Sequence, residues 1–315
     1  MANNSPVLPA DRNGVAAPVP KAIAAGLVLA ISGAITFSGK AIIVKLAYRY
    51  GVDPVTLIML RMLFALPIFA AMGWWASRGK PPLSPRDWLG VAGLGFCGYY
   101  LSSFLDFAGL QFITASLERL ILYLNPTFVM LLAWLLYRKN FARMQLLGMV
   151  ISYCGVVLVF GHEVRIAGPR TALGAALVVG SAVSYAVYLV YSGHMVKRLG
   201  SLRLVGLATS VACLCCLLQY ALLRPLGTAF EVAPQVVWLS VLNATVCTAI
   251  PVLLVMMAIE RIGPALSAQS GMVGPLATIM MGVLLLGEPF TAWIAAGTVL
   301  VIAGIFVFSR ASRQV

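Results

Sequence analysis

The hydrophobic positions of the chain form ten long segments that are separated by short polar connections. A helix that crosses a membrane needs about 20 predominantly apolar residues, and the segments are close to this length. We therefore predict ten transmembrane helices with no soluble domain between them. The predicted spans are Ala22–Ala47, Pro54–Ala76, Asp87–Phe112, Ala115–Tyr137, Met144–Gly161, Ala172–Met195, Leu204–Leu223, Val236–Ile259, Pro264–Leu286 and Thr291–Ser309.

An internal repeat relates the two halves of the chain. Four residue types recur at an offset of 149 positions, in the pairs Pro126 and Pro275, Phe141 and Phe290, Gly148 and Gly297, and Gly155 and Gly304. Five spans in each half would insert the second half upside down, as in many secondary transporters. The predicted fold is an all-α membrane protein with two inverted five-helix repeats, at 22–161 and 162–309. Residues 1–21 are predicted to be a disordered cytoplasmic tail, and 310–315 a second cytoplasmic tail.

Composition and charge support a membrane protein over a soluble one. Apolar residues make up 61% of the chain, charged residues 10%, and the mean hydropathy is +0.98, which excludes an ordinary soluble domain. The net charge of +13 comes mainly from loop residues on the side of the N-terminus. The positive-inside rule then predicts a cell (inner) membrane protein with both termini in the cytoplasm. Nucleic-acid binding is not predicted, because no basic stripe is interleaved with aromatic residues.

Five charged residues stand out in the interiors of the predicted spans, all in the first half: Lys40, Arg61, Asp106, Glu118 and Arg119. Such residues are costly in a membrane and are usually functional. Counted from the span midpoints, all five lie at one depth, in the outer half of the bilayer. Two acids and three bases at one depth can pair, so we predict that they form an external gate. The alternative is a purely structural ion pair.

Helical spacing gathers further polar residues onto shared faces of the spans. We predict a solute cavity lined by nine residues: Lys40, Tyr99, Ser103, Asp106, Tyr123, Asn125, Tyr188, Gln269 and Ser270. Pro126 and the Gly274-Pro275 pair interrupt the fourth and ninth spans at matching positions, a pattern typical of transport sites. The Gly274-Pro275 break is expected to offer free backbone groups to the solute. Close helix packing or a simple kink are the structural alternatives.

Three stretches resemble the drug/metabolite transporter superfamily, specifically its EamA-type members. They are Phe37–Lys45 with Asp53-Pro54 and Arg61, Phe107–Leu117, and Gly287–Phe290 followed by Gly297 and Gly304. The resemblance implies ten helices in two inverted halves, a central cavity and export of small polar metabolites by rocking of helix pairs. The chain departs from the family pattern at Phe37, at Lys40 and at Arg138-Lys139-Asn140, which stands where the first half of the family has a Gly-Glu-Arg-like ending.

The function predicted on these grounds is export of a small polar metabolite, an amino acid or a related zwitterion or anion, by alternating access. Carriers for sugars, nucleosides, their phosphates or lipophilic drugs are alternatives, and a channel or a membrane enzyme is less favoured. The two histidines and six cysteines form no catalytic or metal-binding pattern, so no enzyme activity, cofactor or metal is expected. The expected partners are a small-molecule solute and the lipid bilayer. The oligomeric state is left open, and a monomer is compatible with the sequence.

Overall fold

A computed structural model describes residues 20–138 and 142–311, and every regular element in these ranges is helical. The α-helices are α1 Pro20–Tyr48, α2 Pro54–Ser77, α3 Pro85–Gly95, α4 Ser102–Leu110, α5 Ala115–Leu122, α6 Asn125–Tyr137, α7 Arg143–Ala167, α8 Arg170–Leu199, α9 Ser201–Leu223, α10 Pro234–Ala244, α11 Ile250–Ser270, α12 Gly274–Met281 and α13 Ala292–Ala311.

Two of the connections between α-helices are continuous π-helical turns. Phe96–Leu101 joins α3 to α4, and Thr245–Ala249 joins α10 to α11. These turns begin 149 positions apart, which is the offset of the sequence repeat. A third π-helical turn, Gly282–Leu286, extends α12. Single π-turns inside α-helices are uncommon and often mark functional sites, so their equivalent positions in the two halves are informative.

Eight helical segments are long and apolar enough to cross a membrane, and they coincide with the first eight predicted spans. The last two apolar helices are shorter, at Gly274–Leu286 and Ala292–Phe308. The predicted ninth span, Pro264–Leu286, follows a kink in α11 at Gly263, where φ is +76°, and the 3₁₀ turn Gly271–Val273 divides it. Large apolar side chains such as Leu135 and Leu222 are exposed on the outside of the bundle, as contact with lipid requires. The chain is thus an integral membrane protein.

The repeat glycines allow α7 and α13 to pack with their backbones in close contact. A Cβ atom added to Gly148 would lie 2.6 Å from the carbonyl oxygen of Gly304, and one added to Gly155 would lie 2.7 Å from that of Gly297. The order of the contacts is reversed between the two helices, so the helices run antiparallel. Glycines that recur in the sequence therefore meet across the interface between the halves, where larger side chains do not fit.

Other helix pairs also join the two halves. The helix α1 packs against α11, and α4 packs against α8. In the sequence, α8 is the repeat equivalent of α1, because adding 149 to the residue numbers of α1 gives nearly the range of α8. The helices α2 and α9 pack against each other at Gly73 and Gly206. The largest apolar core packs the C-terminal half of α1 against the N-terminal half of α2. Helices of the first half therefore pack directly against helices of the second half.

The glycine interface predicts a specific loss of stability on enlargement. Replacing Gly155 with alanine should lower the free energy of unfolding by about 1–3 kcal/mol, because the added methyl group overpacks α7 against α13. Gly161→Ala is the matched control on the same helix, since no atom lies within 4 Å of an added Cβ. Thermal unfolding in detergent, followed by tryptophan fluorescence, measures both variants. Equal melting temperatures for the two variants would contradict the close contact.

Candidate functional site

Three of the predicted gate residues form a buried ion cluster. The ammonium group of Lys40 on α1 lies 2.5 Å from Asp106 Oδ2 on α4 and 3.7 Å from Glu118 Oε1 on α5. The residues are 8%, 1% and 0% exposed. Burying a charge costs several kcal/mol unless it is paired, so the two carboxylates and the ammonium group depend on one another. The cluster ties together three helices of the first half.

The two arginines of the predicted gate have neutral partners. Arg61 donates from Nε and Nη2 to Thr248 Oγ1, at 3.2 and 3.1 Å, and Arg119 donates from Nε to Thr278 Oγ1 at 2.8 Å. Neither guanidinium group has a carboxylate partner among the described residues. Among the described residues, direct ion pairing within the predicted gate is thus confined to Lys40, Asp106 and Glu118. The second half supplies the hydroxyl groups of Thr248 and Thr278 to the two arginines, and the gate itself stays a prediction.

Aromatic rings lie against these cations. Lys40 Nζ and Arg119 Cζ lie 5.7 and 5.5 Å from the centre of the Phe37 ring, and Arg61 Cζ lies 5.2 Å from that of Phe107. A cation over a ring face is attracted by the ring's quadrupole, and the effect is larger where water is excluded. Phe37 therefore contacts both a paired and an unpaired cation.

The charged side chains of Lys40, Arg61, Asp106, Glu118 and Arg119 form one layer. A cavity of about 790 Å³ lies beside this layer, between the two halves of the chain. Six of the nine predicted cavity residues line it: Lys40, Tyr99, Ser103, Asp106, Tyr123 and Asn125. Arg61, Arg119 and Pro126 also face it. This volume is within the range of small-molecule sites.

The other three predicted cavity residues are placed differently. Tyr188 lines an adjoining cavity of about 530 Å³, and its hydroxyl lies 3.0 Å from that of Tyr99. Ser270 lines neither cavity, and its hydroxyl donates to the carbonyl of Leu266. The side chain of Gln269 lies outside the described part of the chain. The structure thus brings Tyr188 to the rim of the site and leaves Ser270 away from it.

The helix interruptions are present, but their carbonyl groups are occupied. The helix α5 ends at Leu122 and α6 begins at Asn125, while the 3₁₀ turn Gly271–Val273 precedes α12. Tyr123 donates its hydroxyl to the carbonyl of Gly271 at 2.9 Å, and the Ser38 hydroxyl shares its single proton between the carbonyls of Gly274 at 2.8 Å and Ala34 at 2.7 Å. Two carbonyl groups at this break therefore have side-chain partners from the first half. That the break offers backbone groups to a solute stays a prediction.

Sequence reasoning missed the threonines that hold the arginines. Thr248 lies on the π-helical turn Thr245–Ala249, and Tyr99 lies on the equivalent turn of the first half, 149 positions earlier. A search for ionisable groups passes over neutral hydroxyls, so neither Thr248 nor Thr278 was singled out. The repeat offset from Tyr99 was the available signal for Thr248.

A second set of buried polar contacts closes one end of the bundle. The carboxylate of Glu288 accepts hydrogen bonds from the backbone amides of Ala115 and Ser116, at 2.8 and 3.3 Å, at the start of α5. Glu163 accepts from Thr114 at the same helix end. Carboxylates are stabilised there by the unpaired amides and the helix dipole. Because these acids lie at the ends of predicted spans, the search of span interiors missed them.

Two surface contacts join the halves at the same end. Arg49 donates to the carbonyl of Leu286, and Arg224 forms an ion pair with Asp53 at 3.3 Å. Partial burial acts to raise the pKa of the Asp53 carboxyl, but hydrogen bonds from Thr56 and the Arg224 guanidinium outweigh it and hold that pKa below its ordinary value. The carboxylate is therefore ionised and able to pair at neutral pH.

Both halves of the sequence match the model of one known family. The EamA-like transporter family matches residues 24–161 and again residues 172–310. The chain belongs to the EamA-like transporter family. It is accordingly a membrane transporter. The boundary between the two matched regions falls between the two halves of the sequence repeat.

Relatives of this EamA-like chain extend over most of its length. The uncharacterized transporter YcbK of Bacillus subtilis is 31% identical over 273 residues, which cover 84% of this chain and 86% of that protein. An uncharacterized transporter of Archaeoglobus fulgidus is 24% identical over 279 residues, covering 88% and 95%. A crystal structure covering 93% of this chain and 99% of its own has a TM-score of 0.59 at 20% identity, which shows a likeness of fold alone.

The ion cluster predicts a stability cycle for the EamA-like bundle. Lys40→Met should lower the free energy of unfolding by about 3–5 kcal/mol, because it leaves two carboxylates buried without a cation. Adding Asp106→Asn to Lys40→Met should recover part of this loss, since one uncompensated charge is removed. Lys197→Met is the control, because Lys197 is exposed at the end of α8. Unfolding in detergent measures all four proteins, and equal stability of the two single variants would contradict the cluster's role.

Proposed function

We propose that this EamA-like protein is a secondary transporter that exports a small polar metabolite by alternating access. The solute is an amino acid or a related zwitterion or anion. The observation that carries this proposal is the cavity of about 790 Å³ between the two halves, whose largely apolar wall holds the charged side chains of Lys40, Asp106 and Arg119. An alternating-access carrier needs such a site, open to one side of the membrane at a time.

The residues lining the cavity indicate which end is open. They continue along α6 from Asn125 to Ala133, towards the last turn of that helix. From α1, only Phe37 and Lys40 contribute. Beyond Lys40, Ala41 and Val44 are fully buried in the apolar core. These features support a cavity that is open on the side of the α6 C-terminus and sealed beyond the ion cluster.

The helix pairing supports two inverted repeats of five spans, ten in all, at 22–161 and 162–309. The antiparallel contact of α7 with α13 and the exchange of α1 for α8 under the repeat offset are what a pseudo-twofold axis in the membrane plane produces. With both termini in the cytoplasm of an inner-membrane protein, the open end of the cavity faces the cytoplasm. The state is then inward-facing, ready to load a solute for export.

The sealed end would open when contacts between the halves break. Glu288 on the second half binds the start of α5 on the first, and Arg49 binds Leu286. The first half has Lys139 at the position 149 residues before Glu288, so the matching acid is missing from the sequence. This difference supports an inward-facing resting state. The contacts of Glu288 with α5 and of Arg49 with Leu286 then form an outer seal, and Lys40, Asp106 and Glu118 form the gate beneath it. Arg61 and Arg119 complete the gate layer.

Counterflow tests the carrier directly. Purified protein is first screened by thermal shift against amino acids, nucleosides, sugars and their phosphates, because a ligand of the folded state raises its melting temperature. Proteoliposomes loaded with a stabilising solute should then accumulate the labelled solute transiently, with a rate that saturates. Asp106→Asn should reduce this flux more than it reduces stability. Unitary currents, or flux without saturation and counterflow, would favour a channel.

The outer seal makes a prediction that needs no solute. Glu288→Gln should increase hydrogen exchange of the backbone amides at the start of α5 several-fold, because a carboxylate at a helix N-terminus contributes about 0.3–2 kcal/mol. Glu260→Gln, on the exposed surface of α11, is the matched control. Hydrogen-exchange mass spectrometry of the peptide containing Ala115 and Ser116 measures the effect. Unchanged exchange in Glu288→Gln would remove this contact from the seal.

A further inference from the structure

Two buried arginines line the cavity, and each guanidinium group has an unused hydrogen-bond donor. Arg61 is 5% exposed and Arg119 is 4% exposed, and Arg61 Nη1 and Arg119 Nη2 have no hydrogen-bond partner within the described residues. Both residues line the same cavity. An unpaired buried donor on a charged group costs free energy that a bound acceptor recovers. These donors therefore indicate an acceptor that comes from outside the chain.

The charge of the layer identifies the kind of acceptor. The three cations Lys40, Arg61 and Arg119 face two carboxyl groups, those of Asp106 and Glu118, which leaves an excess of at least one positive charge. Both carboxyl groups lie against the Lys40 ammonium group, so neither neutralises an arginine directly. A bound anion reduces this excess, whereas a zwitterion leaves it unchanged and a cation increases it. Uncompensated charge in an apolar setting is strongly disfavoured.

The rest of the cavity wall is largely apolar. It includes Phe37, Met62, Phe69, Val129, Met130 and Tyr185. The Tyr99 and Tyr188 hydroxyls form a hydrogen bond with each other, and the Tyr123 hydroxyl donates to the Gly271 carbonyl. These three rings therefore present mainly apolar surface to the cavity. A solute with an apolar body gains from burial against this wall.

We infer that the cavity binds an organic monoanion with an apolar body, whose anionic group lies against the guanidinium groups of Arg61 and Arg119. Guanidinium groups suit this role because their planar donors match the two oxygens of a carboxylate. The inference rests on the proposed transport function and narrows its solute from polar metabolites in general to organic anions. Thr248 and Thr278 act as positioning residues, since each fixes one guanidinium group by a neutral hydrogen bond.

Four probes with the same benzyl group separate charge from shape. Phenylacetate is an anion, phenylacetamide is neutral, L-phenylalanine is a zwitterion and 2-phenylethylamine is a cation. Equilibrium dialysis and thermal shift with the purified full chain should show saturable binding of phenylacetate. The other three should bind at least about tenfold more weakly. Phenylacetamide has only a neutral acceptor, and the ammonium groups of L-phenylalanine and 2-phenylethylamine add positive charge to a site that already has an excess of it. Equal binding of phenylacetamide or L-phenylalanine, or no binding of phenylacetate, overturns the inference.

Substitutions locate the anion in the cavity. Arg61→Gln and Arg119→Gln should each weaken phenylacetate binding by roughly tenfold or more while leaving phenylacetamide binding unchanged. Arg203→Gln is the matched control, because Arg203 is a buried arginine that binds Ser77 and Pro81 away from the cavity. Arg61→Lys and Arg119→Lys keep the charge and serve if a glutamine variant fails to fold. Full phenylacetate affinity in both lysine variants and in any folded glutamine variant overturns the site.

Transport assays distinguish the carrier function from the anion-binding site. Charge-selective, arginine-dependent binding of phenylacetate supports the anion site even if proteoliposomes show no counterflow, in which case the carrier function fails. Saturable counterflow of another solute, with no charge preference among the four probes, keeps the carrier and overturns the anion site. The two proposals can therefore fail separately.

Discussion

The Lys40 ammonium group, held between the carboxylates of Asp106 and Glu118, is the interaction on which the arrangement of the site depends. The three side chains come from α1, α4 and α5, and none can be buried in an apolar bundle without the others. Their pairing fixes the relative rotation of these helices. That rotation in turn sets which residues line the cavity and places Phe37 between Lys40 and Arg119.

The two halves share their backbone design and divide the chemistry between them. The repeat glycines of α7 contact those of α13, each against the other repeat position, and the π-helical turns Phe96–Leu101 and Thr245–Ala249 begin at equivalent positions. The charged groups of the layer all belong to the first half, while Thr248 and Thr278 of the second half accept hydrogen bonds from its arginines. A symmetric scaffold therefore carries an asymmetric, net positive site.

Close packing and polar satisfaction act together at the helix interruptions. A break in a membrane helix frees carbonyl groups that lipid cannot satisfy. In this chain Ser38 and Tyr123 donate to the carbonyls of Gly274 and Gly271, so the break between α11 and α12 is bound to the first half. The same contacts hold the ninth apolar segment against α1 and α5. Movement of one half against the other would have to exchange them.

The sequence by itself determined the apolar segments, the repeat and the buried charges, because each depends on local composition or on regular spacing. It also indicated six of the residues that line the cavity. The tertiary structure decided which groups meet: Arg61 binds Thr248 from 187 positions away, and Glu288 binds the start of α5 from 173. Such contacts depend on how packed helices are rotated and aligned. Periodicity along one helix cannot specify this, because an apolar stripe fits several neighbouring helices equally well.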